Sequence, residues 1–168
     1  MVSFACKQQK EHVISKLKNE NKVETTTKKL NTHYAFGNTS IVKGCANVIL
    51  QKISADLQYE LRVDLEIDEI LQNKELKISK DTTVIKIYLN KYPKGNSYIK
   101  GVCDDKIYGT SKTPQRYIAI SGILKVNYYH GSLISLSVKD LMLRSSTNQI
   151  LFIPIENFEK VIVNWFGG

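Results

Sequence analysis

Leu57-Gln-Tyr-Glu-Leu-Arg-Val-Asp-Leu-Glu-Ile67 decides the fold class. Leu57, Tyr59, Leu61, Val63, Leu65 and Ile67 alternate without a break against Gln58, Glu60, Arg62, Asp64 and Glu66. A period of two puts every apolar side chain on one face of an extended strand and every polar one on the other. As a helix, the same stretch would set Leu57, Leu61 and Leu65 on one side and Tyr59, Val63 and Ile67 on another. That helix would be apolar on both sides and laced with charge. The stretch is therefore read as a strand of an antiparallel sheet with one buried and one wet face.

The same alternation spreads outward from it. Residues 41–50 are apolar and β-branched, with Gly44 as a bulge. Residues 69–74 close with a helical turn, and 76–79 make a short strand. Residues 82–92 place Ile85, Ile87 and Leu89 on one face. Pro93-Lys-Gly-Asn96 supplies turn residues and 97–103 returns, so that pair is predicted to be a hairpin. Ile118, Ile120, Leu124, Val126 and Tyr128 alternate toward Tyr129-His130-Gly131-Ser132. Ile134, Leu136 and Val138 alternate on the way back, with Ser135, Ser137 and Lys139 facing outward. Gly131 can take the positive φ that a tight hairpin turn requires. Residues 149–153 and 158–166 complete the set, with Trp165 closing one end of the core.

About eight or nine strands at this spacing predict an all-β antiparallel sandwich or small barrel. No helical pattern of ten to fifteen residues separates them, which argues against βαβ units. The chain of 168 residues divides into a basic tether, 1–33, which is mobile or forms a short helix, and a single β domain, 34–168. Such a domain buries roughly 70% of its unfolded surface and needs no metal or disulfide to fold.

The net charge of +8 is uneven: residues 1–30 hold 7 Lys against 3 Glu, half of the excess. Basic residues are nearly all Lys, with Arg only at positions 62, 116 and 144. A nucleic-acid binder gathers Lys and Arg on one folded face among aromatics, and the sequence supplies no such pattern, so no nucleic-acid partner is expected. No run of eighteen apolar residues suggests a membrane-spanning helix.

Cys6, Cys45 and Cys103 have spacings that match no zinc pattern. Cys6 follows Val2-Ser-Phe-Ala5 and precedes Lys7-Gln-Gln-Lys-Glu11. This junction resembles that of a bacterial lipoprotein: an apolar segment ending in a small residue, then a cysteine, then a polar tether. Ala5 matches the small residue, while Ser3 and Phe4 depart from the usual residues. Only five residues precede Cys6, so a leader cut away ahead of Met1 would account for the missing apolar core of a signal peptide. The resemblance implies lipid on Cys6 and residues 7–33 holding the domain off the membrane, with the basic tether adding attraction to anionic lipid. The other reading is a free cysteine in a cytoplasmic tail. Cys45 and Cys103 then form an even pair. In an oxidising envelope a bridge between them would contribute ~3–4 kcal/mol. Two separate buried thiols are the preferred alternative.

Little in the chain points to catalysis. His12 and His33 lie in the tether, and His130 in a hairpin tip, where a solvated turn explains it better than a triad with Ser132 or Cys103. Asp64 and Glu66 belong to a solvated strand face; Asp68-Glu69 and Asp104-Asp105 are turn acids, so no calcium or other metal site is expected. No glycine-rich phosphate loop occurs, and no cofactor is expected. Nine tyrosines are many for this length. Tyr92, Tyr98, Tyr108, Tyr128, Tyr129 and His130, near the predicted turns, form the candidate binding surface.

These readings converge on a non-enzymatic envelope protein, tethered through Cys6, that binds a protein or glycan through loops and Tyr-bearing hairpins. An immunity or inhibitor protein that blocks a toxin or enzyme is the first alternative. A lipocalin-like carrier of an apolar ligand is the second.

Overall fold

The predicted strand forms over Tyr59–Leu65; Leu57, at φ 56°, and Gln58 lie instead in the bend that precedes it, Glu66 follows it, and Ile67 lies outside the described residues. The computed structural model describes residue 34 and residues 36–45, 48–66, 74–103 and 111–164. Among the described residues, eight strands run in chain order: β1 Ile41–Cys45, β2 Ile49–Ile53, β3 Tyr59–Leu65, β4 Glu75–Ser79, β5 Ile85–Lys91, β6 Gln115–His130, β7 Leu133–Ser145 and β8 Ile150–Ile162. No helix occurs among the described residues, and the fold is all-β. All strand pairs are antiparallel. The order across the sheet is β1-β2-β3-β5-β6-β7-β8, and β4 pairs with β6 beyond the end of β5. The sheet curls into a half-barrel.

Cross-strand partners share a face, so the inner face follows from the register. Leu50, Val63 and Ile87 face one another across β2, β3 and β5, as do Leu61 and Leu89 across β3 and β5. Leu124, Ile134, Leu136, Leu141, Leu143, Ile153 and Phe158 join them, nearly inaccessible to solvent. Facing one another across the curl of the half-barrel, these side chains form one continuous apolar core.

Two devices bring the ends of the sheet together. A Cβ on Gly44 would run into the Ile162 carbonyl oxygen, so glycine lets β1 lie directly against β8. Nearby, the Lys52 ammonium on β2 reaches Glu156 on β8 at 2.7 Å. The same carboxylate accepts the Phe36 backbone N–H at 2.7 Å.

Several expectations are corrected. Residues 82–92 and 97–103 do not form a hairpin, because β5 has β3 on one edge and β6 on the other. Residues 93–103 instead make an irregular strap. Residues 41–50 are not one bulged strand: they hold β1 and the start of β2, which pair antiparallel with Gly44 in regular register opposite Leu50. Residues 149–153 and 158–166 are not two strands, since β8 runs through Pro154. It is the last strand in the sheet order, where a residue without an N–H is tolerated.

The alternation expected along β6 also breaks. Register shifts fall at Ala119/Ser121, Ser121/Ile123 and Val126/Tyr128. Each inserted residue moves the following side chains to the other face. Tyr117 and Ala119 therefore enter the core and Ile118 points outward, while Leu124 and Val126 point inward. Ser137, expected outside, is buried. The turn itself is as expected, with Gly131 at φ 59°. The tether with Cys6, the turn at 69–73, Asp68-Glu69, Asp104-Asp105, Tyr108, His12, His33 and Trp165 lie outside the described residues.

Candidate outer-face binding site

The polar face of β3 begins the site. Arg62 pairs across the ladder with Tyr88, Tyr88 with Ile118, and Ile118 with Arg144, so the four stand in one row over β3, β5, β6 and β7. Arg116 precedes Ile118 by two residues and shares that face. All three arginines of the chain thus gather on one outer strip.

Its geometry is built around Tyr88. The Arg116 guanidinium lies 4.5 Å from the Tyr88 ring centroid and that of Arg62 lies 5.7 Å away, within the range of cation–π attraction. Arg62 Nε also donates to Asp64 Oδ1 at 2.8 Å. Burial, followed by the carboxylates of Asp64 and Glu60, pushes the Tyr88 hydroxyl up, against the opposing pull of Arg62 and Arg116. Tyr88 therefore stays protonated at neutral pH and can donate. Ile118 is 60% exposed between these groups and Arg144. An apolar contact ringed by guanidinium donors suits a partner that carries both carboxylates and apolar surface.

A buried polar network fixes the strip from one end. Glu60, 5% exposed, accepts from Gln51 Nε2 at 2.6 Å, Asn90 Nδ2 at 2.8 Å and Tyr92 OH at 2.9 Å. Asn90 Oδ1 in turn accepts from Arg116 Nε at 3.1 Å. Gln51 also ties down the strap, donating to the Lys100 carbonyl and accepting from the Val102 N–H. Asn96 links the strap to the Leu57 and Tyr98 carbonyls and to the Lys112 N–H. Cys45 and Cys103 are joined, with their Cα atoms 5.7 Å apart. Separate buried thiols, the preferred reading of the sequence, are thus not what the structure has: Cys103 is exposed on the strap rather than buried in a strand. The strap brings it over β1 from 58 residues away, a proximity that spacing alone does not reveal.

The six candidate surface residues do not converge. Tyr92 is 8% exposed, its hydroxyl committed to Glu60 and pushed up first by burial and then by that carboxylate. Tyr98 is half-buried in the strap. Tyr128, Tyr129 and His130 lie at the far end of β6, whose first residue, Gln115, pairs with Lys91 beside Tyr92. Tyr128 is exposed, with its ring centroid 6.5 Å from that of His130. Among the described residues, no group of three or more His, Cys, Asp or Glu is placed to hold a metal ion.

The residues missed were Tyr88, Arg116, Ile118 and Arg144. The shifts along β6 obscured their shared face, because strict alternation sends Ile118 inward. The usable signal was the scarcity of arginine itself, with one on each of three strand stretches.

Compared with protein-family models, curated proteins and solved structures, the chain matches none.

Proposed function

We propose that this chain is a non-enzymatic binding protein of the bacterial cell envelope. It is tethered to the membrane through Cys6 and recognises an anionic protein or glycan through its outer face. The observation that carries the binding reading is the gathering of Arg62, Arg116 and Arg144 around Tyr88 and the exposed Ile118. Guanidinium groups already oriented by Tyr88, Asn90 and Asp64 lose little freedom on meeting a carboxylate or sulfate. The Cys45–Cys103 bond supports an oxidising compartment, and the junction at Cys6 supports a lipid anchor.

The test is differential capture. Wild-type protein and R116E/R144E are immobilised and exposed at low salt to an envelope extract of the native host. The expected result is a partner retained by the wild type, released as rising salt screens the contact, and lost from the variant. Identical capture by the two proteins would overturn the reading. A single tight partner at one-to-one stoichiometry would assign the strip to an inhibitor or immunity protein.

A further inference from the structure

β6 changes partners partway along its length. Its first residues pair with Tyr88–Lys91 of β5, and residues 121–125 pair with β4. In between, Ile85, Lys86 and Ile87 pair with β3 alone among the described residues. The sheet is therefore notched where β4 and β5 part. The notch is a cleft of about 580 Å³. Ile78, Ile85, Ile87 and Ala119, core side chains only 3–6% exposed, form its floor, and Ile118, 60% exposed, stands at its mouth. Lys80, Lys86 and Arg116 stand around it, together with Tyr88 and the carboxylate of Glu66. Lys80 and Lys86 make no ion pair among the described residues. A second depression of about 630 Å³ adjoins it, sharing Lys80, Arg116, Ile118 and Ala119 and leading to Arg144.

We propose that this notch binds an anionic amphiphile: a carboxylate bearing a medium-length apolar chain. The tail lies on Ile78, Ile85, Ile87 and Ala119, and the head meets Lys80, Lys86 and Arg116. The cleft volume falls within the ~300–1,000 Å³ of small-molecule sites, which pair an apolar lining with a few polar groups that fix orientation. The apolar floor favours any chain of suitable length. The rim supplies the selection: three cations against one carboxylate attract an acid, do nothing for an alcohol and repel a quaternary amine. The site opens from the outer surface through a gap in the sheet onto the margin of the core, and so differs from a lipocalin cavity enclosed at the centre of a barrel. It shares Tyr88, Arg116 and Ile118 with the outer strip but does not depend on that strip having a macromolecular partner.

The probes are dodecanoate, dodecanol, decanoate and dodecyltrimethylammonium, each titrated below its micelle-forming concentration into the purified 168-residue protein. Dodecanoate is expected to bind with one-to-one stoichiometry. Decanoate, two methylenes shorter, is expected to bind about tenfold more weakly. Dodecanol and the quaternary amine are expected to bind at least about tenfold more weakly, as is dodecanoate to K80E/K86E. Both lysines are exposed, so that variant keeps its fold. Methyl spectra provide a second readout: Ile78, Ile85 and Ile87 shift on addition of dodecanoate, while Ile134 and Ile153 of the interior do not. The proposal is overturned by absence of saturable binding to the folded protein, by equal affinity for the quaternary amine, by unchanged affinity in K80E/K86E, or by shifts centred on Ile134 and Ile153. None of these results depends on capture by the R116E/R144E pair, so the two readings fail separately.

Discussion

At the scale of the residue, Glu60 and the tyrosines show how one strand carries both fold and site. Glu60 falls on the polar face that strict alternation assigns to water, yet it is buried because the strap covers that end of the face. Three donors satisfy its oxygens, which offsets the cost of removing a carboxylate from water. Burial also marks the hydroxyls. Tyr34 is raised to about 12, first by burial, and Tyr88, Tyr92 and Tyr117 are raised for the same leading reason. A folded-state value above the unfolded one means that folding favours the protonated hydroxyl. That contribution is complete below the ordinary tyrosine value of 10.0 and is lost as pH rises through the folded values, to about 12 for Tyr34. The expected outcome is a urea midpoint with no tyrosine-linked loss below pH 10, falling as pH climbs from 10 toward 12, with buried phenolate absorbance appearing together with unfolding. Ionisation of every tyrosine near 10 in the folded protein would contradict these environments.

At the scale of the element, the sequence carried the strands more plainly than their joins. The period-two pattern of Leu61, Val63 and Leu65, and of Ile85, Ile87 and Leu89, reports burial directly, so both strands were legible. The strap, the division of residues 41–50 and the outward turn of Ile118 were not. Each depends on which edge is already occupied or on where a residue is inserted, and local pattern carries neither. Arg62 was correctly placed on an outward face, but its neighbours in the row come from strands up to 82 positions away. The closing contact between β2 and β8 is likewise nonlocal. Lys52 and Glu156 are 12% and 4% exposed in their side chains, and the Lys52 ammonium lies near the rings of Phe36 and Phe158. Removing one partner of such a pair strands the other charge in an apolar setting. Lys52→Met or Glu156→Gln alone is expected to cost roughly 3–5 kcal/mol. The double variant is expected to lose less than the sum of the two, giving a clear coupling energy in urea unfolding. Additive losses would show that the two ends of the sheet are not joined by this pair.

At the scale of the whole molecule, a curled sheet, a covalently held strap and an outward arginine strip form one mechanical unit. Gln51 and Glu60 lie beneath the strap, and Asn90 connects Glu60 to Arg116. Fixing the strap therefore helps to fix the strip. Closing a loop of this length contributes roughly 4 kcal/mol through the unfolded state, and the same bond supports the oxidising envelope we propose. The most direct measurement counts free thiols in the 168-residue chain, purified under oxidising conditions with Cys6 unmodified, then unfolded without reductant. One reactive thiol per chain, Cys6, with Cys45 and Cys103 recovered in a single cross-linked peptide, is the predicted result. Three reactive thiols would contradict the bridged strap and remove the structural support for placing this protein outside the cytoplasm.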